Sequence, residues 1–224
     1  KLDSKYIFIF IILLGIILRL IYGIDNRINE RQHDVGDVRG TGHYGYTFYI
    51  FRYLKLPDTN ASQFYQPPLN SIIQALWMRL SSFFNPCPEN IKDSYLALFN
   101  TTNPIRSSQT ELISYIDTLY SSTKILSIFY SCVTLITIHY ILKEFNLKNI
   151  YHNLILLFIS VQPMMVMMSG TMNNDNLSYM FFFLSLLCFI KFIKKSSFVY
   201  AILLALSIGC GMITKLSIGL IAII

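Results

Sequence analysis

Apolar and polar positions along this chain alternate in long blocks rather than at every second residue. The first apolar block is Tyr6 to Gly23, "YIFIFIILLGIILRLIYG", and a second runs from about Ile125 to Leu142. Further blocks cover about 150–168, 177–193 and 198–214, and the apolar run "LSIGLIAII" follows Lys215. Each is long enough to be read as a membrane span. Lipid offers no partner to backbone N–H and C=O groups, and no alternating barrel pattern is present, so the blocks predict α-helices. No small-residue cleavage site follows the first block, which separates it from a signal peptide. Arg19, near its end, is expected to snorkel toward the interface.

Between the first two spans lies a hydrophilic stretch of about 24–124 with a pattern of its own. "LNSIIQALWMRLSSFF" places Ile72, Ile73, Leu76, Trp77, Leu80 and Phe84 near helical spacing. "GHYGYTFYIFRYLKLPD" is aromatic with scattered cations. Both segments predict short helices, lying either in the membrane interface or packed against the spans. Between them, "YQPPLN" is a rigid extended or turn element, because Pro67 and Pro68 fix φ and remove donors. The expected fold is therefore an all-α, multi-span transmembrane bundle with a long first outer loop containing short interfacial helices.

Composition agrees and adds orientation. Of 224 residues, 54% are hydrophobic and 13% charged, and the mean hydropathy is +0.50, which excludes an ordinary soluble domain. The net charge of +6 is a matter of placement rather than a nucleic-acid signal. "KEFNLKN" carries Lys143 and Lys148, the turn after the fourth span carries Lys191, Lys194 and Lys195, and "SGTMNNDN" carries no cation. The positive-inside rule puts the two basic turns in the cytoplasm and "SGTMNNDN", with the long loop, outside. Four cysteines form no Cys-x-x-Cys or Cys/His spacing, so neither a disulfide framework nor a zinc site is expected. The chain begins at Lys1 and ends inside an apolar run, and we expect it to be the N-terminal portion of a longer protein.

The charge-poor chain nevertheless concentrates ionisable groups in "RQHDVGDVRG". Asp34 and Asp37 are three residues apart. Either they are solvated loop carboxylates balanced by Arg31 and Arg39, or one serves as a general base on an acceptor while the other holds a neighbour or a metal. His33 and His43 flank them without a recognisable ligand spacing, so a divalent metal stays an open option rather than an expectation. Asp175 in "NNDN" reads as part of a polar turn, or as a second acid facing the same outer surface as Asp34. Lys215 lies at the outer end of a span, against the usual cation bias. It is either a snorkelling lysine or a point charge for a lipid phosphate.

Order and topology together carry a resemblance. An acid just after the first span ("QHD"), the "YQPPL" segment, a second acid in the next outer loop ("GTMNNDNL") and "GMITKLS" at the end of the fifth span resemble the N-terminal part of GT-C membrane glycosyltransferases. The nearest likeness is to the family-39-like group of protein O-mannosyltransferases and lipid A aminoarabinose transferases. The resemblance covers nearly all of the chain. It implies a polyprenyl- or dolichyl-phosphate sugar as donor, a protein or lipid acceptor, and inverting transfer on the extracytoplasmic or luminal face, with no nucleic acid involved. It assigns Asp34 and Asp175 catalytic positions and makes Lys215 the residue near the lipid phosphate. His33, Asp37, Arg39, Tyr65, Gln66 and Asn174 become substrate-binding candidates. The sequence departs from the family at Asn70, where a His often follows "PPL". A competing reading is a transporter or flippase of a lipid-linked or polar substrate, which predicts ionisable residues near the midplane and broken helices.

Overall fold

A computed structural model describes residues 4–26, 35–38, 40–58, 63, 65–100 and 105–223. All regular elements among them are helical. They fall into two compact units, one formed by residues 1–26 and 125–224 and the other by residues 27–124.

The first unit holds the membrane spans. It comprises α1 (Ser4–Asp25), α6 (Lys124–Glu144), α7 (Asn149–Val161), α8 (Pro163–Met168), α9 (Asp175–Lys195), α10 (Phe198–Thr214) and a closing 3-10 segment (Leu216–Ile223). At 22 residues α1 is about 33 Å long, enough to cross the hydrocarbon layer. Its apolar residues are not equivalent. Phe10, Leu13, Ile17, Ile21 and Ile24 are exposed along one face, whereas Ile11, Gly15, Arg19 and Gly23, four apart, are buried along the other. Glycine is required on the inner stripe because the neighbours come close. A Cβ on Gly15 would lie 2.7 Å from Leu135 and 3.1 Å from Ser160, and one on Gly23 only 2.5 Å from Ile128. Ile11 then joins Leu135, Ile138, Leu142 and Leu156 in a packed cluster.

Two findings depart from expectation here. The third span is not one helix. It breaks at Gln162, whose ψ of 120° ends α7, and Pro163 starts α8 at the position where a missing N–H costs least. The Gln162 side chain caps the new start, accepting from the Met165 amide at 2.6 Å. Arg19 does not snorkel either. It is fully buried, donating from Nε to Ser131 Oγ at 2.8 Å and from one terminal nitrogen to the Gly15 and Ser160 carbonyls at 2.9 and 3.0 Å. The two observations are linked. The Ser160 carbonyl lies in the last turn of α7, just before the break, and the guanidinium satisfies it where no water would be at hand.

The second unit comprises α2 (Gly42–Tyr53), α3 (Leu69–Phe84), a 3-10 turn (Glu89–Ile91), α4 (Lys92–Asn100) and α5 (Thr110–Ser122). Arg79 donates to the Phe51 carbonyl at 2.6 and 2.9 Å, and Arg52 donates to the Leu98 carbonyl, so two of its cations close helix ends. The α3 helix turns its polar side inward. Asn70, Ser71, Gln74, Ala75, Met78 and Ser81 are buried, and Thr47 donates to Gln74 at 3.0 Å. Leu76, Leu80, Phe83 and Phe84 are exposed. Within its own unit, α3 thus packs through its polar side and turns its apolar stripe outward.

Candidate functional site

"SGTMNNDN" is not a solvated turn. Ser169, Gly170, Thr171, Met172, Asn173, Asn174 and Asn176 are all buried, and their polar groups tie together the ends of four helices. Asn26, just after α1, donates to the Gly170 carbonyl at 2.9 Å. Ser127 of α6 donates to the Thr171 carbonyl, and Asn174 donates to the Thr214 carbonyl at the end of α10 at 3.1 Å. Asn176 reaches back to the Met168 carbonyl that ends α8. The loop thus satisfies helix-end groups that would otherwise be stranded at the edge of the membrane.

This framework fixes Asp175. Its amide donates to Asn173 Oδ1 at 3.1 Å, and the Asn173 side-chain amide donates back to Asp175 Oδ2, also at 3.1 Å. The other carboxylate oxygen, Oδ1, forms an ion pair with Lys215 Nζ. The topology explains the meeting. α9 and α10 form an antiparallel hairpin closed at Ser196 (φ 47°), so the start of one and the end of the other share one end of the bundle. Lys215 also lines a cleft of about 400 Å³. Met165, Tyr179, Phe182, Phe183 and Ile218 give the cleft apolar walls, and Ser178 and Ser217 add hydroxyls. Lys215 is the one cation in a lining that is otherwise apolar or hydroxylic.

In the second unit, the described part of the charged stretch is a turn leading into α2. Gly36 has φ +76°, and a Cβ there would fall 2.1 Å from the Thr41 carbonyl oxygen, so only glycine fits. The Asp37 amide donates to Thr41 Oγ1 at 3.0 Å, and the Tyr44 amide donates to the Val35 carbonyl at 2.8 Å. Tyr44 Oη donates to Asp117 Oδ1 at 2.7 Å and stacks on Tyr120 with ring centres 3.9 Å apart. Burial raises the Asp117 carboxyl above the usual aspartate range, the Tyr44 hydrogen bond works against that rise, and the Asp37 charge adds to it. Burial, then the Asp117 charge, also pushes the Tyr44 phenol well up.

Of the residues expected from sequence, Asp175, Lys215 and Asn174 come together at one end of the first unit, and Asp37 sits beside Asp117 and Tyr44 in the second. Tyr65 is exposed and Gln66 half-buried in the turn before α3, where the Gln66 amide donates to the Gln63 carbonyl at 2.9 Å. Asp34, His33 and Arg39 lie outside the described residues. Asp117 was not anticipated. The signal available for it was an acid directly after Ile116 on α5, whose buried face is Leu112, Ile116, Leu119 and Tyr120. Among the described residues no three His, Cys, Asp or Glu side chains gather as a metal-ligand set.

Two features that a transporter would share are present, a buried cation in a span and a broken span. Both are accounted for by packing, since Arg19 and Gln162 satisfy the backbone groups around the break.

A family model described as dolichyl-phosphate-mannose-protein mannosyltransferase matches residues 112–224, half of the chain. No curated protein and no solved structure matches.

Proposed function

The chain belongs to the dolichyl-phosphate-mannose-protein mannosyltransferase family and is a membrane glycosyltransferase, and from that membership we propose that it moves a sugar from a dolichyl or polyprenyl phosphate to a protein or lipid acceptor on the non-cytoplasmic face. The observation that supports the proposal is Lys215, ion-paired with Asp175, in the lining of the apolar cleft. A prenyl chain needs apolar walls, and its phosphate needs a cation beside them.

In the proposed reaction the acceptor oxygen attacks the anomeric carbon. The bond from that carbon to the phosphate oxygen breaks, and the electron pair leaves with the lipid phosphate. Charge grows on that phosphate as the bond breaks, and the Lys215 ammonium stabilises it. The acceptor proton passes to the Asp34 carboxylate, placed by its "QHD" context on the acceptor side. The sugar is inverted, because a single displacement needs a base and no carboxylate nucleophile. Asp175 has one oxygen on Lys215 and the other on Asn173, so we assign it to holding the ammonium rather than to taking a proton.

Membranes carrying the full-length protein, supplied with radiolabelled dolichyl-phosphate mannose, test this. Transfer by wild type that collapses in both Asp34→Asn and Lys215→Met at unchanged protein level is the expected outcome. Full transfer by Lys215→Met would remove the ion pair from the reaction.

A further inference from the structure

The first unit has a second cavity, at the other end of its spans. It lies some 16 residues along α6 from Ser127, about 24 Å from the polar loop. With a volume of about 560 Å³, it is larger than the cleft at Lys215, and it belongs to no step of the proposed reaction. Its polar lining is His139, Lys143, Asn146, Asn149, His152 and Asn153, contributed by the end of α6, the turn and the start of α7. No carboxylate lines it.

The lining is organised around an imidazole pair. His139 is more than nine-tenths buried and stacks on Phe8 of α1 with ring centres 4.1 Å apart. Its Nδ1 lies 3.0 Å from His152 Nε2, so one ring donates and the other accepts. The pair is held on three helices, which fixes both rings in the cavity wall and leaves one outer ring nitrogen a donor and the other an acceptor. Lys143 is a cation without a carboxylate within ion-pair distance among the described residues, touching only the face of the Tyr140 ring at 5.7 Å. The acid next to it, Glu144, is occupied by Lys194 at 3.1 Å and Lys191 at 3.9 Å. The residue preceding α7, Lys148, provides no side-chain cap for the first-turn amides. The cavity therefore offers one ammonium, Lys143, together with the amide donors of three asparagines, and no anionic group opposes them.

The rest of the lining is apolar, from Phe8, Leu142 and Leu147. Phe145, Ile150 and Tyr151, each next to a lining residue along the chain, are all more than half exposed, as expected where a span meets headgroups. An anion reaching this cavity is best carried by a molecule whose remainder is content among such side chains. We infer that this cavity binds the phosphate of an anionic phospholipid from the leaflet on the lysine-rich side. The same donors would fit free phosphate, and the two sources differ in the apolar lining of Phe8, Leu142 and Leu147, which gives nothing to an inorganic ion. The inference does not depend on the sugar-transfer reading, because it uses none of the same residues.

The test is full-length protein in nanodiscs of phosphatidylcholine with or without phosphatidic acid, read by native mass spectrometry for retained lipid and by thermal unfolding. Wild type should retain phosphatidic acid and unfold at higher temperature in its presence. Lys143→Gln should lower retention by about fivefold, the worth of one lysine at a membrane surface. K143Q/H152Q should abolish it. Lys195→Gln removes an equal charge at the same end but outside the cavity, over the Tyr200 ring, and should leave retention intact. Equal loss in K195Q would reduce the effect to general surface charge and overturn the site. So would unchanged retention in K143Q, which alters only a peripheral side chain and should fold. Protection of the phosphatidylcholine sample by inorganic phosphate alone would overturn the lipid assignment.

Discussion

The division of labour between Asp175 and Lys215 predicts a particular pattern of mutant kinetics. Lys215→Met removes the one cation lining the cleft. Loss of a single preorganised group facing developing charge costs about 10²- to 10³-fold in kcat. Asp175→Asn keeps the shape and an acceptor for Asn173 but discharges the partner of Lys215. The lysine side chain is 44% exposed and the aspartate 23%, so solvent screens the pair to about 0.5–1 kcal/mol. If that energy only steadies the ammonium, D175N costs about two- to fivefold. The double variant D175N/K215M should then be no worse than K215M alone, since nothing remains to be steadied. Lys215→Arg should restore much of the activity. The assay is single-turnover transfer from dolichyl-phosphate mannose in nanodiscs, with unfolding temperature measured alongside to exclude misfolding. Costs that multiply in the double variant would refute the reasoning, because Asp175 would then touch the substrate itself. A loss near 10³-fold in D175N alone would make it the base.

Other consequences are independent of that one. Arg19→Leu strands the Ser160 carbonyl beside the Pro163 break and should destabilise the protein by about 1–3 kcal/mol, visible as earlier labelling of Cys132, Cys188 and Cys210 by a thiol-reactive dye on heating; an unchanged profile would mean that the carbonyl finds another partner. Asp117 has its folded pKa raised, so its contribution is fully present below the ordinary aspartate range and is lost as pH rises through that range toward the folded value. Asp117→Asn should flatten this slope in thermal unfolding across mildly acidic pH, and a slope equal to wild type would count against it. Trp77 is the one tryptophan of this sequence and sits on α3 beside the exposed apolar stripe. Its fluorescence should be quenched by lipids brominated near the headgroup, and indifference to brominated lipid would put α3 in water instead.

The spans and two of the four loop helices, α2 and α3, could be read from sequence because their periodicity is local, whereas α4 and α5 were not read. α3 follows from the 3.6-residue spacing of its apolar positions, and its bounds coincide with the segment read. What periodicity leaves out is which side is covered. Nothing local in "LNSIIQALWMRLSSFF" says that Gln74 has a hydroxyl waiting on α2. The break at Gln162 and Pro163 sits inside a run whose average is apolar, so a reading by hydropathy passes over it, and the burial of Arg19 depends on serines 112 and 141 residues away. The common end of Asp175 and Lys215 follows from counting spans, whereas their ion pair needed the folded loop. Asp117 is 73 residues from Tyr44, a pairing that only the fold brings about.

The separation between Arg19 and its partners also sets a schedule for synthesis. At about 5–20 residues per second, a ribosome needs about 7–30 s after making Arg19 to reach Ser160. Through that interval the first span must reside in the bilayer with its guanidinium only partly matched, by the Gly15 carbonyl of its own helix. An arginine in a span costs up to about 3 kcal/mol on insertion scales, less away from the centre, and the surrounding isoleucines, leucines and phenylalanines of α1 offset it. The first helix therefore commits to the membrane early and docks late. Until α7 emerges, it is exposed to any quality-control factor that reads a polar group in lipid as a sign of an unfinished protein.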